Sequence, residues 1–192
     1  MGICRCHYDP LAHETEMLTR KIMPVYLLFL TLVATCASGL AQGRFEIITG
    51  KLFQGAVPRD FYLEGNAIPV EKRNAVLFRT PEGARTLFGL IATAGFASRL
   101  QQKYSGMLIS EGTLSICGRG VGVGSYGFGI RRRYSLEQPT QFLLYNQAGD
   151  QIMECDMESD AHLREPRPLQ IVIESSRSAR LYLGREWLRL GP

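Results

Sequence analysis

Cys117-Gly118-Arg119-Gly120-Val121-Gly122-Val123-Gly124-Ser125-Tyr126-Gly127-Phe128-Gly129-Ile130 is the stretch on which the reading of the fold turns. Side chains of an extended strand alternate between its two faces. Gly118, Gly120, Gly122 and Gly124 then share one face, and Val121 and Val123 take the other. After Ser125 the larger residues change parity, to Tyr126, Phe128 and Ile130. A β-bulge or sharp bend produces such a phase slip, and glycine kinks are the device by which sheets coil into small barrels. A face without side chains admits a neighbouring ring, a helix or a ligand. Gly120, Gly122 and Gly124, with Tyr126 and Phe128, are therefore the candidate floor of a ligand site.

The same stretch contains a formal Gly-x-Gly-x-x-Gly at Gly122, Gly124 and Gly127. Dinucleotide binding needs that pattern to open a helix after a strand, with an acid about 20 residues further on. Gly127-Phe128-Gly129-Ile130 is no helix former, so no cofactor is assigned.

Working outward, period two continues. Phe45, Ile47 and Ile48 open a strand, and 51–57 reads as another before Pro58. Residues 75–79 and 85–91 form a hairpin about Pro81-Glu82-Gly83, and 141–145 with 151–155 repeat that layout about Asn146–Asp150. Segments 107–109, 114–117, 169–173 and 180–183 add strands, and a Gly184-Arg185 turn leads to a last edge strand carrying Trp187, read as a cap on the core. One segment differs: Phe96, Leu100 and Tyr104 recur every four residues, predicting a helix over about 94–105 that buries one stripe. The prediction is an all-β domain, a small barrel or strongly coiled antiparallel sheet of about 8–10 strands with one short helix.

Composition agrees. With 45% hydrophobic and 21% charged residues, the chain belongs to neither the disordered nor the fibrous class. Eight of the 20 glycines fall between Gly106 and Gly129, so they mark bent strands rather than scattered loops.

The first forty residues serve another end. Ile22 to Gly43 carry no charge, Arg20 and Lys21 precede them, and the run closes on small residues at Gly39-Leu40-Ala41. Basic flank, apolar core and small-residue end describe an export signal cut after Ala41. An uncleaved anchor and a lipid-bearing Cys36 are the alternatives. The chain thus divides into 1–16, read as a spurious or disordered extension, 17–41, the signal peptide, and 42–192, one β-rich domain. The expected location is the periplasm or the exterior of a prokaryotic cell, with the membrane touched only through the signal or anchor.

Export removes Cys4, Cys6 and Cys36 and leaves Cys117 and Cys155, which suit one disulfide in an oxidising compartment. Three basic and three acidic residues leave with the signal, so the net charge stays +4. Its distribution is uneven: 113–133 hold Arg119, Arg131, Arg132 and Arg133 with no acid, whereas 137–165 hold seven acids against Arg164. Such alternation indicates complementary faces rather than a nucleic-acid stripe. Arg131 and Arg133 are the candidates for an anionic head group, because guanidinium forks match carboxylate and phosphate. The competing reading is a solvated strand end that discourages edge pairing.

Glu154, Asp156, Glu158 and Asp160 alternate with Met153, Cys155 and Met157, predicting a carboxylate outer face and a sulfur-rich inner one. The glycine that a calcium loop requires after its third acid is Ala161 here, so no metal is assigned. Catalytic motifs are missing: His162 is the one histidine after residue 41, and neither Gly-x-Ser-x-Gly nor His-Glu-x-x-His occurs. A carboxylate pair involving Glu64 or Glu111 is the remaining route to hydrolysis. The expected function is non-enzymatic binding of a lipid or other apolar or amphipathic small molecule. The alternatives are an interaction module with an envelope protein partner, and a carboxylate-based hydrolase.

Overall fold

The computed structural model describes residues 43–132 and 138–192. The expected signal peptide and extension, with Arg133, lie outside the described residues. The fold is all-β with two short helices, and its sheets wrap into a nearly closed barrel.

Among the described residues there are fourteen strands: β1 (Glu46–Ile48), β2 (Asp60–Leu63), β3 (Asn66–Arg79), β4 (Arg85–Ile91), β5 (Gly106–Ser110), β6 (Leu114–Ile116), β7 (Arg119–Val121), β8 (Gly124–Arg131), β9 (Gln141–Tyr145), β10 (Gln151–Asp156), β11 (Glu158–Ser159), β12 (Gln170–Ser175), β13 (Ser178–Leu183) and β14 (Glu186–Gly191). The helices are α1 (Gly50–Ala56) and α2 (Ser98–Lys103). The count exceeds the expectation because bends split continuous ribbons, as between β5 and β6, β7 and β8, and β10 and β11. The sequence reading also missed β2 and the first half of β3, where charged residues obscure the alternation.

The larger sheet has eight strands in the order β1-β3-β4-β5-β8-β9-β10, with β2 alongside β3; the smaller has six, β12-β13-β14-β6-β7, with β11 alongside β14. One bent hairpin belongs to both. β5 pairs with β8 in the large sheet, and their continuations β6 and β7 pair in the small one. The bend falls at Gly122 and Val123, two to three residues before the parity change expected after Ser125: Val121 packs inward before it, and Tyr126, Phe128 and Ile130 after it. The hairpin closes on Cys117 and Gly118, both with positive φ (51° and 76°), a two-residue turn whose twist suits antiparallel strands. Elsewhere the Phe45 N–H donates to the Ser176 carbonyl, drawing the sheets together at a further place, and the Met157 N–H donates to the Thr140 carbonyl, extending the β9–β10 ladder by one residue.

Between the sheets the space is filled. Phe45, Phe78, Phe88, Phe128 and Phe142 form a row of rings whose successive centroids lie 5.9, 6.2, 6.1 and 5.3 Å apart. Leu181, Leu188 and Leu190 meet them from the small sheet. A second apolar cluster covers the outer face of the large sheet, joining Leu77, Leu87, Met107 and Tyr145 to the helices and to Phe61 and Leu63. Trp187 is buried, outside the two clusters. Leu188 and Leu190 take the inner face, and Trp187 is buried beneath the Arg180 guanidinium, 3.9 Å from its ring centre.

The helix expected over 94–105 forms over the shorter Ser98–Lys103, with Leu100 and Tyr104 buried. The strand expected over 51–57 is instead α1. Leu52, Phe53 and Ala56 satisfy both periods over so short a run, and Pro58 holds Val57 extended and stops the helix (φ −77°, ψ 113°). The acidic strand has the expected faces: Met153 and Met157 are buried, while Glu154, Asp156 and Glu158 are exposed.

Cys117 and Cys155 form a disulfide, with Cα atoms 6.4 Å apart and a separation of 38 residues. It ties the tip of the bent hairpin, in the small sheet, to β10 at the edge of the large one. Closing that loop is worth about 4 kcal/mol in the chain-entropy model. Denaturant unfolding of Cys117→Ser, or of reduced protein, is expected to show a loss of about that size.

Candidate functional site

The predicted ligand residues do not converge. Phe128 is fully buried between the sheets, where its ring crosses Gly106; a Cβ on Gly106 would meet the Phe128 ring. It is a core residue. Gly120 and Gly122 lie exposed at the bend, and a Cβ on Gly122 would meet nothing within 4 Å. Tyr126 folds back over the bend, its hydroxyl donating to the Gly122 carbonyl at 3.2 Å, and a Cβ on Gly124 would lie 2.9 Å from that hydroxyl. Arg131 stands at the opposite end of β8, roughly 20 Å away at strand rise. Its Nη1 donates to Gln141 Oε1 at 2.9 Å.

The glycines that permit close approach are others. A Cβ on Gly127 would lie 2.6 Å from the Tyr104 ring, and one on Gly129 would collide with the Lys103 carbonyl. The end of α2 therefore lies directly on β8. The sequence signal was available: after the phase slip, Gly127 and Gly129 share a face with Arg131.

Around α2 lies a clasp centred on Glu64, whose side chain is 10% exposed. Glu64 and Gly65 form the two-residue turn between β2 and β3, both with positive φ (46° and 74°). The Glu64 carboxylate faces Arg99 Nη2 at 2.5 Å and accepts from Lys103 Nζ at 2.6 Å and the Tyr104 hydroxyl at 2.8 Å. Lys103 Nζ also donates to the Gly149 carbonyl at 2.5 Å and sits 4.9 Å from the Tyr145 ring centre. Hydrogen bonding by Lys103, against the cost of burial, holds the Glu64 carboxyl down at about 2. Burial and the bond to Glu64 push the Tyr104 hydroxyl up, keeping it a donor at neutral pH. Glu111 is likewise held low by a two-pronged bond from Arg85, at 2.7 and 2.8 Å. Both carboxylates that the sequence left open for hydrolysis are thus committed to cationic partners, and neither faces a second acid in those contacts. His162 is exposed, its backbone N–H donating to Asp160 Oδ1 at 3.0 Å.

Two surface clefts have ligand character. A groove of about 540 Å3 runs between β1, α1 and β3. Ile47, Phe53, Ala75, Val76 and Leu77 give it apolar walls, and Lys72 and Arg73 stand beside them. These two cations come from a bulge: Glu71 pairs with Leu90 and Ala75 with Gly89, leaving Lys72, Arg73 and Asn74 without partners on β4. Lys72 Nζ donates to the Gln54 carbonyl at 2.8 Å, bridging to α1. A second cleft, of about 750 Å3, lies between α2 and the ends of β8 and β9, with Arg99, Lys103, Arg131 and Arg132 over Leu143 and Tyr145. Periodicity reading missed the groove because a bulge and a short helix build it, and neither follows the surrounding alternation.

The chain matches no protein-family model, no curated protein and no solved structure.

The clasp makes stability pH-dependent. The unfolded Glu64 carboxyl takes up a proton near its ordinary 4.5, while the folded one resists until about 2. Its contribution, roughly 3 kcal/mol, is full above 4.5 and is lost as pH falls to about 2. Glu64→Gln is expected to flatten the stability profile across that window in denaturant titrations at each pH. Phe128→Ala is expected to cost about 3–5 kcal/mol, as a core truncation does.

Proposed function

We propose that this protein is an exported, non-enzymatic module that binds a single-chain amphipathic anion in the groove between β1, α1 and the bulge of β3. One observation carries the reading: apolar walls and two cations share a solvent-open groove with no carboxylate among its described lining residues. An acyl chain laid against Phe53, Ala75 and Leu77 is removed from water, at about 25 cal/mol for each Å2 buried, and Ile47 borders the same groove from the edge strand β1. Lys72 and Arg73 stand within the same groove to receive the head group. The filled space between the sheets favours this outer groove over a barrel lumen. Export is supported by the signal pattern of 17–41 and by the disulfide.

A second reading, an envelope interaction module, is favoured by β12. This strand closes one end of the small sheet, where its backbone can pair with another strand, and it exposes Val172 (42%) and Ile173 (38%), one on each face.

Calorimetric titration of the full chain with laurate tests the first reading. Laurate is expected to bind more tightly than uncharged dodecanol, and Ile47→Asp to weaken it about tenfold or more. Parent protein that binds neither compound, or Ile47→Asp that binds laurate unchanged, rejects the groove. Val172→Lys separates the second reading, since it leaves laurate binding intact and blocks pairing by a partner strand.

A further inference from the structure

We infer that Arg99, Arg131 and Arg132 form a second site, independent of the acyl groove, that takes a phosphate-bearing group at the cleft between α2 and the end of β8. Four cations border this cleft and none of its described lining residues is a carboxylate. They are not equivalent. Lys103 is spent within the clasp, on Glu64, Gly149 and the Tyr145 ring. Arg99 gives one terminal nitrogen to Glu64 and is 71% exposed, so the rest of its fork meets solvent. Arg131 gives one Nη1 bond to Gln141 and lies 3.8 Å from Glu154 in an exposed, screened pair. Arg132 borders both this cleft and the neighbouring one that contains Arg185, so it stands at their junction.

β8 is an internal strand, paired with β5 over Gly124–Phe128 and with β9 over Gly127–Arg131. Beyond Phe128 its outer face is covered by the end of α2, whose Lys103 carbonyl lies against Gly129. The arginines therefore stand where a helix, a strand end and solvent meet. Guanidinium groups present planar forks of donors, the geometry that a phosphate accepts from several directions. Leu143 and Tyr145 form an apolar floor that limits competing water and strengthens such pairs. Arg99 is tied on one side to Glu64 and Arg131 on the other to Gln141 of β9.

Inorganic pyrophosphate is the probe, titrated into the purified full chain by calorimetry at low salt. R131A/R132A is expected to weaken binding about tenfold or more with Tm unchanged. R119A/R189A, which removes equal charge from the small sheet, is expected to leave binding as it was. Arg132→Ala alone serves if the double variant loses stability, with the same direction expected. Ile47→Asp is expected to have no effect, which keeps this site separate from the groove. Parent protein that ignores pyrophosphate, or equal weakening in both double variants, overturns the inference. Vesicles then identify the source of the phosphate. Capture by phosphatidylglycerol but not phosphatidylcholine, lost in R131A/R132A, places it on a lipid head group. Pyrophosphate binding without capture assigns it to a soluble phosphate compound.

Discussion

Helix α2 lies nearer to β8 than any side chain between them would permit. The carbonyl of Lys103 occupies the place of a Cβ on Gly129, and the Tyr104 ring crowds the place of one on Gly127. Six helical residues bury few apolar side chains, so a short helix needs close contact to be held at all. Proximity also brings Lys103 and Tyr104 within reach of a carboxylate on the β2–β3 turn. The ion pair is favourable there because three donors share one acid, which offsets much of the cost of removing charge from water. The cleft between α2 and the ends of β8 and β9 is the remaining space beside that contact. Two absent methyl groups thereby determine where the helix sits, which turn it clasps and where arginines gather.

The two faces of the large sheet have been put to different uses. Its inner face is a continuous row of phenylalanines, closed by leucines from the small sheet, and leaves little room for change without a cavity or a clash. Its outer face is covered piecemeal by two helices and a hairpin, and the seams between these pieces are the grooves. Binding chemistry is accordingly found where the covering is discontinuous. The Glu64 clasp crosses one such seam and joins α2 to the turns at Gly65 and Gly149, so the seam is stiff although little apolar area is buried there.

Much of the architecture was legible in the sequence because period two is strong where one face is buried. The hairpins about Pro81–Gly83 and Asn146–Asp150, the acidic strand, a bend within the glycine stretch and the Cys117–Cys155 bridge were readable from spacing. The stretch 51–57 was not, because seven residues with Leu52, Phe53 and Ala56 suit either period, and only packing against β3 decides between them. The candidate sites were harder still. A bulge at 72–74 leaves no periodic trace, and the partnership of Glu64 with residues 35 to 40 positions away arises from topology alone. Glycine was the misleading signal: the conspicuous even-numbered series faces solvent, and the two that permit packing come after the slip.

That slip has a consequence for how the chain tolerates change. Along β8 the even residues build the inner core, and the odd ones, Gly127, Gly129 and Arg131, serve the outer face. Their assignment depends on the number of residues spent at the bend between Val121 and Gly124. Adding or removing one residue there would turn the phenylalanine outward and drive the arginine into the core. Two residues would restore the phase. Lineages of this fold should therefore vary the length of the bend in even steps while leaving the strand beyond it in register.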